Sequence, residues 1–179
     1  MDTFIALLRG INVGGKTMIK MPELKSLLAE MGFEDVSTYI QSGNVVFKSS
    51  TGDARKLAAA IEQRIAETFG LDITVLIRTP AELSEIAAHN PFQSRESDVT
   101  KLHVVFLGDR PASDAVAELD PDRSPPDEFA VLGREIYLHL PNGAGRSKLT
   151  IDYFEKQLGV RTTARNWKTL TKLIDLTQS

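Results

Sequence analysis

Residues Val36 to Ser49 read VSTYIQSGNVVFKS, two alternating apolar runs about Ser42-Gly43-Asn44. Alternation at a period of two marks strands that bury one face. A glycine between two such runs supplies the positive φ of a tight hairpin. Working outward, Met21, Leu24, Leu27, Leu28 and Met31 repeat at helical spacing upstream, with Pro22 in the first turn and Gly32 at the end. Before them Phe4 to Leu8 is a short unbroken apolar run, the mark of a strand buried on both faces. Downstream, Asp53 is placed to cap a helix with the stripe Leu57, Ile61, Ile65 and Phe69, which Gly70 ends. Ile73 to Ile77 closes the run as a strand, and the order is β-α-β-β-α-β.

Thr79-Pro80-Ala81-Glu82 is a complete helix start, and the helix carrying Leu83, Ile86 and Ala87 breaks at Asn90-Pro91. The order then recurs. KLHVVFLG (Lys101 to Gly108) matches the opening strand, and a short helix follows around Val116 and Leu119. DRSPPDE (Asp122 to Glu128) is a turn-rich connector, and EFAVLGREIYLHL is a hairpin about Gly133-Arg134. Ser147 is expected to open a helix with Leu149, Tyr153, Phe154 and Leu158, closed by Gly159. Val160 to Ala164 is the closing strand, and Asn166 caps a last helix bearing Leu170, Leu173 and Ile174. Both halves end strand, Arg, capping residue, helix: Arg78-Thr79 in one and Arg165-Asn166 in the other.

The fold expected is therefore α+β, a tandem repeat of two ferredoxin-like βαββαβ subdomains with trailing helices. Residues 1–79 form the first subdomain, 80–100 a connecting helix and Asn90-Pro91-Phe92 loop, and 101–179 the second subdomain with its C-terminal helix. Such a sheet carries helices on one face only, so a partner half or the trailing helices must cover the other.

Composition narrows the function. The chain has 179 residues and no cysteine, which excludes disulfides, thiolate nucleophiles and Cys-ligated zinc. A net charge of −3 and a pI near 5.7 argue against wholesale wrapping of nucleic acid but allow a local basic patch. MDTFIALLRG has an acid where a signal peptide has cations, and its apolar run stops at Arg9. No apolar stretch approaches the ~18 residues of a membrane span. The expectation is a cytoplasmic protein without a membrane partner; the sequence sets no oligomeric state and names no cofactor.

LRGINVGGKT, Leu8 to Thr17, is the segment that carries chemistry. It satisfies G-x-x-x-x-G-K-[ST] directly after a strand, the pattern of a phosphate-cradling loop. Three features oppose that reading. A phosphate loop starts its helix at the Gly-Lys-Thr step, whereas Pro22 and the apolar stripe start this one about a turn later. The chain lacks the strand-helix alternation of a parallel sheet. The one Walker-B-like run, Val104 to Asp109, is interrupted by Gly108. Glycines at a tight strand-to-helix turn are explained by geometry alone, but a turn requires neither Arg9 nor Lys16 nor the amide of Asn12. A Gly-rich turn beside Arg and Lys is a candidate anion site.

GAGRSKLT is a second glycine-bearing cationic segment. Ser147 and Lys148 are adjacent, and adjacent residues on a helix do not face each other, so Ser147 reads as a cap rather than a nucleophile. Arg165-Asn166-Trp167-Lys168 joins a cation, a cap and the only tryptophan, a cluster that either stacks on a base or docks the last helix. His89, His103 and His139 lack metal-pair spacing, so no metal site is expected.

LLRGINVGGK, STYIQSGNVVF, NPF, SKLT and TARNWKTL together resemble the uncharacterised bacterial family called domain of unknown function 1697. The resemblance covers nearly the whole chain and implies a tandem pair of ferredoxin-like subdomains. It implies no activity. The family's pattern has Asn where this chain has Thr17, so the Walker match arises here by a local substitution. Mapped onto this chain, its motifs mark Arg9, Asn12, Lys16, Gln41, Ser42, Asn44, Ser147, Lys148, Arg165, Asn166 and Trp167.

Three functions follow as expectations. The first is a binding module for a phosphate- or carboxylate-bearing ligand, a nucleotide or single-stranded nucleic acid among them. The second is an enzyme on a small phosphorylated or carboxylated substrate, using Ser147, Lys148 or Lys16. The third is an interaction protein whose motif residues brace the fold.

Overall fold

The computed structural model describes residues 1–11, 17–40 and 43–178. It is an α+β structure with two four-stranded antiparallel sheets and six α-helices among those residues. β1 (Asp2–Leu8) has no polar side chain from Phe4 onward, so it is accommodated only in a central position covered on both faces. It pairs antiparallel with β3 (Asn44–Ser49) on one side and β4 (Val75–Arg78) on the other, and β2 (Glu34–Tyr39) lies outside β3. The order is β2-β3-β1-β4.

Two amphipathic helices, α1 (Met21–Glu30) and α2 (Ala54–Phe69), bury their stripes against one face of this sheet. The core there joins Phe4, Ala6 and Leu8 to Leu24, Leu28, Phe47, Ile61 and Ile65. Ile5 and Leu7, on the opposite face, are buried as well. α2 begins where Asp53 accepts from the backbone N–H groups of Arg55 and Lys56, and ends at Gly70 in the left-handed region.

The second sheet has the order β6-β7-β5-β8. β5 (Leu102–Leu107) is central, between β7 (Glu135–His139) and β8 (Thr162–Asn166), with β6 (Glu128–Leu132) at the edge. α4 (Ser113–Ala117) and α5 (Ile151–Leu158) accompany it. Their core contains Val105, Leu107, Leu119, Ile136, Leu138, Phe154 and Leu158. The chain divides into two compact units, Met1–Ser84 with Lys172–Ser179, and Glu85–Thr171. Consequently α3 (Pro80–Ala88) and α6 (Trp167–Gln178) each contribute residues to both.

The two sheets share their pairing register. Ile5 faces Val46 and Arg78, while Val104 faces Tyr137 and Arg165. Leu7 faces Asn44 and Leu76, while Phe106 faces Glu135 and Thr163. The exits of the central strands match too. Leu8 N and Arg9 N donate to Gly43 O and Thr74 O, and Leu107 N and Gly108 N donate to Arg134 O and Arg161 O.

Some expected boundaries move. The closing strands run Val75–Arg78 and Thr162–Asn166 rather than from Ile73 and Val160, because the ladder begins at Leu8↔Val75 and Leu107↔Thr162. Ser147 does not open α5. It follows a 3-10 turn, Ala144–Arg146, in an extended conformation, and its Oγ accepts from Leu149 N at 3.0 Å. A serine so engaged with its own backbone holds a turn rather than a helix start. Thr150 takes the cap, accepting from Tyr153 N at 3.2 Å.

Candidate functional site

At one end of the first sheet, β1 runs into the Gly-rich loop beside the tip of the β2–β3 hairpin. Leu8 N donates to Gly43 O at 2.9 Å, and Arg9 N donates to Thr74 O at 2.9 Å. Gly43 has φ +80°, and a Cβ there would lie 2.8 Å from Leu8 Cβ and 3.0 Å from Ile11 Cγ1. Only glycine allows this approach, so the hairpin tip rests directly on the start of the loop. Ile11 is buried beneath it, whereas Met18 and Ile40, which border the two segments, are 62% and 52% exposed. Ile40 also has φ +49°, strained for a β-branched residue.

Arg9 is partly buried at this end of the sheet. Asn12, Lys16, Gln41 and Ser42 lie outside the described residues. Asn44 is fully buried, and its Nδ2 donates to Tyr39 O at 3.2 Å across the hairpin. Its amide closes the turn. A groove of about 540 Å³ between α1 and α2, lined by Pro22, Glu23, Leu27, Glu30 and Phe69, includes none of the candidate residues.

The remaining candidates belong to the second unit. Lys148 is exposed, and its backbone is clamped by the Asp122–Glu128 connector: Lys148 N donates to Ser124 Oγ at 3.0 Å, and Arg123 Nε donates to Lys148 O at 2.8 Å. The Arg123 guanidinium also covers the Tyr153 ring, 3.9 Å from its centre. Arg165 Nη1 donates to Thr163 Oγ1 at 3.0 Å and to Ala164 O at 2.7 Å, and burial pulls its guanidinium down to about 10. Asn166 Oδ1 accepts from Thr169 N at 2.8 Å, the expected cap of α6. Trp167 is 3% exposed, so it packs rather than offering a ring face.

The family model described as "Protein of unknown function (DUF1697)" matches residues 1–137. The chain belongs to this family. No curated protein matches it. Among solved structures it is similar to "conserved bacterial protein SP0830 from Streptococcus pneumoniae", with 24% identity, 97% of each chain covered and a TM-score of 0.73. That likeness is one of fold.

Sequence reasoning missed one cluster, built by His139, Glu96, Glu128, Arg95 and Phe92 in the second unit. These residues come from three separate segments, so no spacing announces them; the sequence marks only Phe92, within Asn90-Pro91-Phe92, and His139, as an isolated histidine. Among the described residues, no group of three or more His, Asp or Glu is placed to hold a metal ion. No helix among them is long and apolar enough to cross a membrane.

Proposed function

We propose that the chain is a binding protein for an anionic ligand, a phosphate or carboxylate group carried by a small molecule or by single-stranded nucleic acid. Arg9, Asn12 and Lys16 from the Gly-rich loop would hold it, with Gln41 and Ser42 from the hairpin tip. The observation that carries this reading is the seating of Gly43 on Leu8 and Ile11, because it brings the flanks of a cationic loop and a polar hairpin tip side by side. Backbone N–H groups in such a turn attract anions, and Arg and Lys add charge-assisted bonds to them. Exposed Met18 and the strained Ile40 at the borders support it further.

Asn44, Arg165, Asn166 and Trp167 favour a second role within the same protein. Their side chains close a hairpin, brace a strand end, cap a helix and fill a core. They serve the fold, as the interaction-protein expectation requires, and are not ligand contacts in this proposal.

Each unit is, in this reading, a ferredoxin-like βαββαβ fold, and the two form a tandem repeat. The common strand order and register support it. A cytoplasmic location suits a chain without cysteine.

A thermal-shift panel of inorganic phosphate, pyrophosphate, ATP and short oligothymidylate tests the binding role. A ligand that binds only the native state raises the melting temperature by mass action. The expected result is a shift with at least one probe that Lys16→Ala removes. An unchanged melting temperature with every probe sinks the proposal.

A further inference from the structure

We infer that His139 is a proton-dependent clasp that pins the connector between α3 and β5 onto the edge of the second sheet. The connector turns immediately after α3, where Asn90 Oδ1 accepts from Phe92 N at 2.9 Å. Phe92 is buried and stacks on the His139 ring, with centroids 5.8 Å apart and planes inclined by 25°. Arg95 lies over the other participant in that stack, 5.1 Å from the Phe92 centroid, and grips Glu128 with both Nη atoms at 3.2 and 2.9 Å.

The ring nitrogens complete the clasp. His139 Nε2 lies 2.9 Å from Glu96 Oε2 on the connector, and Nδ1 lies 3.3 Å from Glu128 Oε1 on β6. Both carboxyls titrate below their ordinary range: Glu96 chiefly through the His139 hydrogen bond, and Glu128 chiefly through Arg95. At neutral pH both are therefore acceptors only. A neutral imidazole has one N–H and one lone pair, so it satisfies one carboxylate and sets its lone pair against the other. An imidazolium donates to both.

Both carboxylates have cationic neighbours in that form. Glu96 and Glu128 are offset by the imidazolium and Arg95, with Lys101 also near Glu96. From the central strand the ring meets only Leu102 in register, which is apolar. Loss of the ring proton turns one ring lone pair toward a carboxylate oxygen, in a site where His139 and Glu96 side chains are 13% and 16% exposed. The longer Nδ1 contact gives way first, because Glu128 keeps Arg95 as a partner. The clasp is thus complete while the ring is protonated and both carboxyls are ionised. It weakens when the ring loses its proton, and again as strong acid protonates Glu96 and Glu128.

Side-chain ¹⁵N spectra of the three histidines, with amide hydrogen exchange of residues 92–98 corrected for intrinsic rates, test this between about pH 6 and pH 9. The wild-type chain should show both His139 nitrogens protonated at the lower pH, and connector protection should fall roughly tenfold across the range. His139→Gln should show weak protection at both ends. A neutral His139 ring at the lower pH overturns the clasp, as does wild-type protection independent of pH. A decline of equal size in His139→Gln overturns it too, since that residue has no proton to lose.

Discussion

Arg78 and Arg165 occupy the same register position in their two sheets, paired with Ile5 and Val104, and each donates from Nη1 to the carbonyl of the residue before it, at 3.1 and 2.7 Å. The following residue caps a helix in both places. Thr79 Oγ1 accepts from Glu82 N, and Asn166 Oδ1 from Thr169 N. Agreement in residue type, register and bonding at one position supports the proposed repeat more strongly than element order does.

That geometry makes Arg165 a poor site for lysine. A lysine keeps the charge, but its compact ammonium cannot reproduce the planar reach to Thr163 Oγ1 and Ala164 O. Arg165→Lys should destabilise the chain by about 1–3 kcal/mol, measured by urea unfolding. A variant within error of wild type contradicts the structural role.

Gly43→Ala tests the contact between hairpin tip and loop. Its φ of +80° already disfavours a side chain, and the new methyl meets Leu8 Cβ, an atom fixed directly to the backbone of the central strand. The expected loss is about 1–2 kcal/mol from backbone conformation, with more from the clash. Unchanged stability, measured by thermal unfolding, would show that the tip does not rest on the loop.

His103 should give the stability a pH dependence of its own. Burial holds its ring below the ordinary histidine range, and its Nδ1 is buried without a hydrogen-bond partner. The unfolded ring takes up a proton near pH ~6.5 while the folded ring still resists it, so stability falls as pH drops through that region. His103→Leu should flatten the difference between about pH 7 and pH 5 without destabilising the protein at the higher value. A parallel pH profile in the variant would contradict this.

Helix α5 distinguishes its two hydroxyl residues. Thr150→Ala removes the cap and should cost ~1 kcal/mol, while Ser147→Ala, which loses only a local turn bond, should cost less. The reverse ranking would restore Ser147 as the helix start.

Most of the fold was legible because its signals are local. The hairpins, the caps at Asp53, Thr79 and Asn166 and the terminating glycines announce themselves in short windows. Ser147 misled because a serine just ahead of a helical apolar stripe looks the same whether its hydroxyl caps a helix or a turn. The strand ends shifted because partners far away in sequence decide where a ladder begins. Of the candidate segments, the sequence pointed to the loop after β1 and the hairpin turn separately; that Gly43 meets Leu8 and Ile11 is visible only once the strands pair. For Asn44 and Trp167 the sequence allows either a ligand contact or a bracing role, and their burial, 0% and 3% exposed, is a property of the folded chain that no short window displays. The His139 cluster was invisible because its members meet only after the connector folds onto β6 and β7.

The central claim is that the loop after β1 binds an anion. Isothermal titration of pyrophosphate and of short oligothymidylate into the wild-type chain and into Lys16→Ala tests it most directly. The account predicts measurable binding of at least one probe to the wild type, weakened about tenfold or more in Lys16→Ala as one charge-assisted contact is lost, with the melting temperature of the free variant unchanged. Equal affinity in the two proteins, or no binding of either probe to the wild type, would contradict it.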